Sequence, residues 1–95
     1  MNKPELTLLK KGDLFKILQV TGEKDALMPK HLSTKEAIII VEEGEAIIEI
    51  NAQEHLLKKN DSLVIPAGVP HSLLIKTNFK ALVIMPIESE IKFIN

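Results

Sequence analysis

The sequence contains no cysteine, no arginine, no tryptophan and no tyrosine. Without cysteine there is neither a disulfide framework nor thiol chemistry, so a reducing, cytoplasmic setting is expected. Without arginine the bidentate fork that grips phosphate is missing, and a formal net charge of −1 offers no basic face. Nucleic acid is therefore excluded as a partner. Stacking of a ligand on aromatic rings is limited to Phe15, Phe79 and Phe93, which fit a core better than a site. Long apolar runs are also missing. Runs such as Ala37 to Val41 are far too short to span a bilayer, and Met1 to Lys11 has no apolar secretion segment. Together these point to a protein with no membrane partner. Its 95 residues suit a single domain, 1–95, whose own core is modest.

What is present is a succession of short, β-branched runs separated by turn residues. Strands are expected at Glu5–Leu9, Leu14–Val20, Ala26–Leu32, Ala37–Val41, Ala46–Ile50, Glu54–Leu57, Ser62–Ile65, His71–Lys76 and Phe79–Pro86, with the tail Ile87–Asn95 adding a last one. Ser33-Thr34-Lys35-Glu36 has the spacing of a helix-capping box. The β-branched run after it overrides that reading. Pro29 argues against a central ladder position for its strand, because proline donates no N–H. Strands at this regular spacing suggest an all-β sandwich or barrel.

The stretch Asn60 to His71 is the most informative. Asn60-Asp61 suits a turn, Pro66 ends a short strand, Gly68 is free to take positive φ, and Val69-Pro70 leads stiffly into His71. A histidine held by so rigid a backbone is what a ligand site needs. Pro66, Gly68 and His71 also stand at the spacing of the second motif of the cupin superfamily, which this chain resembles from about Leu27 to Met85. Asn60 replaces that motif's opening glycine, and Ile75 its closing asparagine. Anchoring the first motif on Gly44 puts His31 and Ser33 at its two histidine positions and Ala37 at its glutamate. The resemblance implies a double-stranded β-helix (jelly-roll) barrel. It further implies a divalent transition metal (Zn, Ni, Fe or Mn) held weakly by His31 and His71, since two of four ligand positions are gone.

Alternation turns His71, Leu73 and Ile75 to the interior together with Ala37, Ile39 and Val41, and leaves Ile38, Ile40 and Leu74 outside. The expected ligand pocket is thus lined by His31, Ser33, Ile39, His71, Leu73 and Ile75. For His71 the competing reading is a pocket histidine bonded to backbone or water; for His31 it is a surface histidine capping a loop. Glu36 could complete a 2-His-1-carboxylate set, but it lies one residue off the aligned position, so only a β-bulge would bring it in. His55 shares parity with the core residue Leu57 and is a further candidate ligand, although a hairpin histidine in water is the plainer reading.

Two functions fit these residues. One is a binding module that takes a small molecule into an apolar pocket with a histidine or two at its mouth. The alternative is a metal-dependent cupin enzyme, an isomerase or dioxygenase of a small organic acid. The missing ligand positions tilt the reading away from an enzyme. A structural dimer without a ligand is the plainest option. The outward isoleucines and the apolar tail predict a homodimer, unless Leu6 and Leu8 fold back over Ile38 and Ile40 within one chain.

Overall fold

Alternation along the chain decides the architecture of the computed structural model, which describes residues 3–94; Met1, Asn2 and Asn95, the end of the expected tail, lie outside it. Ten strands form: β1 (Glu5–Lys11), β2 (Phe15–Gly22), β3 (Leu27–Ser33), β4 (Ala37–Glu43), β5 (Ala46–Ile50), β6 (Gln53–Leu57), β7 (Ser62–Ile65), β8 (His71–Ile75), β9 (Phe79–Pro86) and β10 (Ile91–Phe93). In β5, β8 and β9 every second residue is buried, beginning with Ala46, His71 and Phe79, and β4 alternates likewise from Ala37 to Val41. A strand with one dry face needs a second layer against that face. Here two five-stranded sheets supply it for each other, ordered β1-β2-β9-β4-β7 and β10-β3-β8-β5-β6.

That order is a jelly roll, in which successive strands cross between the two sheets except at the β1–β2 and β5–β6 hairpins. The expectation of a closed barrel needs correcting. Closure requires a ladder between edge strands, and no pairing among the described residues joins the two sheets. The chain passes between the edge strands β6 and β7 through the turn at 58–61, where the Asp61 side chain accepts the Lys58 N–H. Ile48, Ile75 and Val41 are the largest fully buried side chains of the core between the sheets.

Turn chemistry fixes the registers. Asn51 and Ala52 both take positive φ (52° and 62°) and close the β5–β6 hairpin in two residues, a primed turn that matches strand twist. Gly44, at φ 78°, sits where an added Cβ would overlap the carbonyl oxygen of Asn78. Pro29 lies in a strand flanked by two others, where a proline was not expected. The structure accommodates it with a register shift between Met28 and His31 in the β3–β8 ladder. A bulge removes the need for an N–H at that point.

The first strand, expected to end at Leu9, runs on to Lys11 past its own irregularity between Leu8 and Lys10. β1 pairs with β2 at the far side of the sheet from β4. Leu6 and Leu8 therefore do not cover Ile38 and Ile40. No helix among the described residues is long and apolar enough to cross a membrane.

Candidate functional site

His31 and His71 are opposed Cα partners on β3 and β8. Alternation on β8 turns His71 inward, and the bulge at Pro29–Lys30 re-aims His31 to meet it. Their rings pack edge to face, with centroids 4.2 Å apart and planes at 65°. The Phe93 ring lies on the other side of His31, 5.3 Å between centroids. The sequence reading placed such histidines at a pocket mouth. The structure buries them instead, at 7% and 5% exposure.

Each ring is fixed by its own backbone. The Nδ1 of His31 lies 2.7 Å from the carbonyl oxygen of Pro29, and that of His71 lies 3.0 Å from the carbonyl oxygen of Val69. A carbonyl only accepts, so Nδ1 carries the hydrogen in each ring and Nε2 keeps a lone pair. Burial lowers the pKa of both histidines by desolvating the charged form. The carbonyl bonds oppose that shift in both, and the nearby His71 lowers His31 a little further. Both rings are therefore neutral donors at neutral pH.

The loop carrying Pro66, Gly68 and Pro70 is tied to this pair. Gly68 takes φ 71° and its N–H donates to the carbonyl of Ser33 at 2.8 Å. That bond pins the start of β8 to the end of β3. Ser33 is buried, and its hydroxyl donates to the Lys35 carbonyl at 2.8 Å.

The imidazoles open on a cavity of about 50 Å³ between the sheets. Of the residues expected to line a pocket, His31, Ser33, Ile39, His71 and Leu73 line this one, as does Ala37; Ile75 is buried in the core but is not part of the wall. Glu36 is exposed in the bend before β4 and stays outside, as strict alternation requires. His55 is half-buried on β6 opposite Ile48, and β5 separates it from β8. Residues that sequence reasoning missed include Leu6, Met28, Met85 and Ile91. Met85 was legible in principle, because it shares parity with Ala81 and Val83 on β9; Met28 was not, because the bulge after it puts His31 and Ser33 on the other parity. Nor was Ile91. It reaches the wall because Thr34 and Glu90 exchange bonds, Thr34 N–H to the Glu90 carbonyl and Glu90 N–H to the Thr34 hydroxyl, both 2.9 Å.

Two neutral imidazoles in contact, each steadied through Nδ1 and keeping Nε2 unbonded to the chain, have the chemistry of a metal half-site. Among the described residues no group of three His, Cys, Asp or Glu gathers to complete it. The residues present thus offer a divalent ion two nitrogens and no more among the described residues. The wall contains no lysine and no carboxylate, so an ion would be the only charge inside it.

Comparison with known proteins bears on this site. Residues 18–86 match the family model described as Cupin domain. Quercetin 2,3-dioxygenase of Bacillus subtilis (strain 168) is 34% identical over 74 residues, which is 76% of this chain and 22% of the dioxygenase. The chain thus spans about a fifth of that relative. A cupin superfamily protein from Desulfitobacterium hafniense DCB-2 superposes with a TM-score of 0.81 at 24% identity, covering 92% of this chain and 80% of the other. The DMSP lyase of Ruegeria pomeroyi DSS-3 superposes with a TM-score of 0.86 at 21% identity over 96% of this chain and 51% of the lyase. At those identities the two structures show the fold. The leaning away from an enzyme is corrected here, because the curated relative is a dioxygenase and the same fold serves a lyase. Two missing ligand positions are not by themselves a reason to set catalysis aside.

Proposed function

The chain belongs to the cupin family, and from that membership we propose that it is a metal-assisted cupin enzyme whose His31 and His71 hold a divalent ion (Zn, Ni, Fe or Mn) beside a small organic substrate. The observation that carries this reading is the paired imidazoles, tied at Nδ1 and free at Nε2, at the wall of an apolar cavity. An oxygenase is favoured among the reactions because the curated relative at 34% identity is a dioxygenase. The small organic acid considered from the sequence alone remains a candidate substrate.

The bound ion would supply the Lewis-acid or redox centre of the reaction. The rest falls to the chain. Pro29 and Val69 carbonyls hold the ring tautomers, and Met28, Ile39 and Met85 exclude water and receive the substrate's apolar body. An acid's carboxylate finds no cation in the wall, since the chain has no arginine and no lysine lines the cavity. Size limits the substrate further. About 50 Å³ compares with roughly 150 Å³ for the engineered apolar cavity that admits benzene. A flavonol does not enter a space of that size, so the substrate is smaller or binds with only one end inside.

Cobalt(II) titration followed by visible absorption tests the site without requiring activity. One ion per chain with nitrogen-ligand bands is expected, and both His31→Ala and His71→Ala should abolish them. Unchanged spectra in the two variants would remove the proposed centre. Oxygen uptake by the iron-loaded protein with small hydroxylated acids then tests the reaction class.

A further inference from the structure

The cavity wall carries two sulfur atoms besides its two imidazoles. Met28 and Met85 line it together with His31 and His71, and both methionines are buried. Met28 stands three residues before His31 on β3, where a regular strand would turn the two to opposite faces. The register shift between them brings both to the inner face. Met28 pairs with Leu73 and His31 with His71, so Met28 lies one inward row from the imidazole pair. Met85 comes from the opposite sheet. Its neighbour Ile84 pairs with Ile38, which sets Met85 beside Ala37, the smallest side chain in the wall.

We infer that the ion suited to this cavity is copper(I), held by the free Nε2 atoms of His31 and His71 and by the thioethers of Met28 and Met85. The inference rests on the proposal that the two histidines bind a metal, and departs from it in the ion's charge and identity. Donor type is the first reason. The wall has no carboxylate, and its one side-chain oxygen, on Ser33, already donates to the Lys35 carbonyl. What remains is imidazole nitrogen and thioether sulfur, and thioethers select copper(I) over the harder divalent ions. With a filled d shell, copper(I) also imposes no coordination geometry of its own.

Charge is the second reason. All four donors are neutral, and no counter-charge lines the cavity. The cost of moving an ion from water into apolar surroundings grows with the square of its charge. At equal radius a divalent ion is therefore penalised about four times as heavily as a monovalent one. A site built for a divalent ion offsets that cost with a carboxylate or thiolate, and this wall has neither. Methionine also fills gaps in cores. As packing alone, Met28 and Met85 would be replaceable by leucine with no effect on metal; as ligands they are not.

Copper(I) affinity, measured under argon in competition with the coloured chelator bicinchoninate, separates these roles. The wild-type chain should take up one copper(I) per chain. The double variant Met28→Leu, Met85→Leu keeps side-chain volume and should fold. It should hold copper(I) at least about 100-fold less tightly, beyond what losing an outer-sphere partner costs. X-ray absorption at the copper edge of the loaded wild type gives a readout that needs no variant. The chain has no cysteine, so a sulfur neighbour of copper can only be a methionine. A sulfur shell is expected. Nitrogen and oxygen neighbours alone would overturn the inference, as would equal affinities in the two proteins. Copper(I) left with the chelator while cobalt(II) still gives its nitrogen-ligand bands would overturn it too and leave the divalent reading standing. That reading is decided separately, by the cobalt spectra of His31→Ala and His71→Ala.

Discussion

His31 and His71 resolve their burial in the same way: each ring donates from Nδ1 to the carbonyl two residues before it, Pro29 for one and Val69 for the other. Each of these segments contains a proline, Pro29 itself and Pro70, so the accepting carbonyls sit on stiff backbone. The pair is thereby oriented before any ion or substrate arrives.

That arrangement makes stability depend on pH. Both imidazoles titrate below their ordinary value of 6.5 in the folded chain, chiefly through desolvation. As pH falls through about 6.5 the unfolded chain binds protons that the folded chain does not, so stability is complete above that value and drains below it. Urea melts taken from neutral pH down to about pH 5 should show the loss. A His31→Leu, His71→Leu double variant should flatten the slope over that range. If it keeps the wild-type slope, other groups carry the dependence.

Two glycines with positive φ should respond very differently to alanine. At Gly68 a Cβ meets nothing within 4 Å, so the change carries backbone strain alone, about 1 kcal/mol. At Gly44 the same Cβ overlaps the Asn78 carbonyl, and the β4–β5 turn must separate from the β8–β9 turn. Gly44→Ala should therefore cost about 3 kcal/mol or more. Equal melting temperatures for the two variants would show that the Gly44 contact yields without penalty.

The β5–β6 hairpin offers a stabilising change. Ala52 holds φ 62° with a Cβ in place, beside Asn51 at 52°. Ala52→Gly creates the Asn-Gly pair that this turn prefers and should gain about 0.5–1 kcal/mol. A thermal melt should move up by a few degrees. A downward shift would mean that glycine's greater freedom in the unfolded chain outweighs the relieved strain.

The sequence by itself determined the strands and most of their inward faces. Alternation in Ala37–Val41 and His71–Ile75 has a period of two, and a strand's pleat admits only that period, so the buried residues were fixed before any tertiary contact. The rigid run from Pro66 to His71 was likewise legible, because proline and glycine restrict backbone wherever they stand. Tertiary structure decided the rest. Whether the sheets close depends on which strands end as edges, and alternation says nothing of neighbours. The bulge that lets Pro29 sit inside a sheet and turns His31 toward His71 is a register shift, visible only once β3 meets β8. The part of the tail in the cavity wall follows from bonds between Thr34 and Glu90, 56 residues apart, which no local pattern encodes.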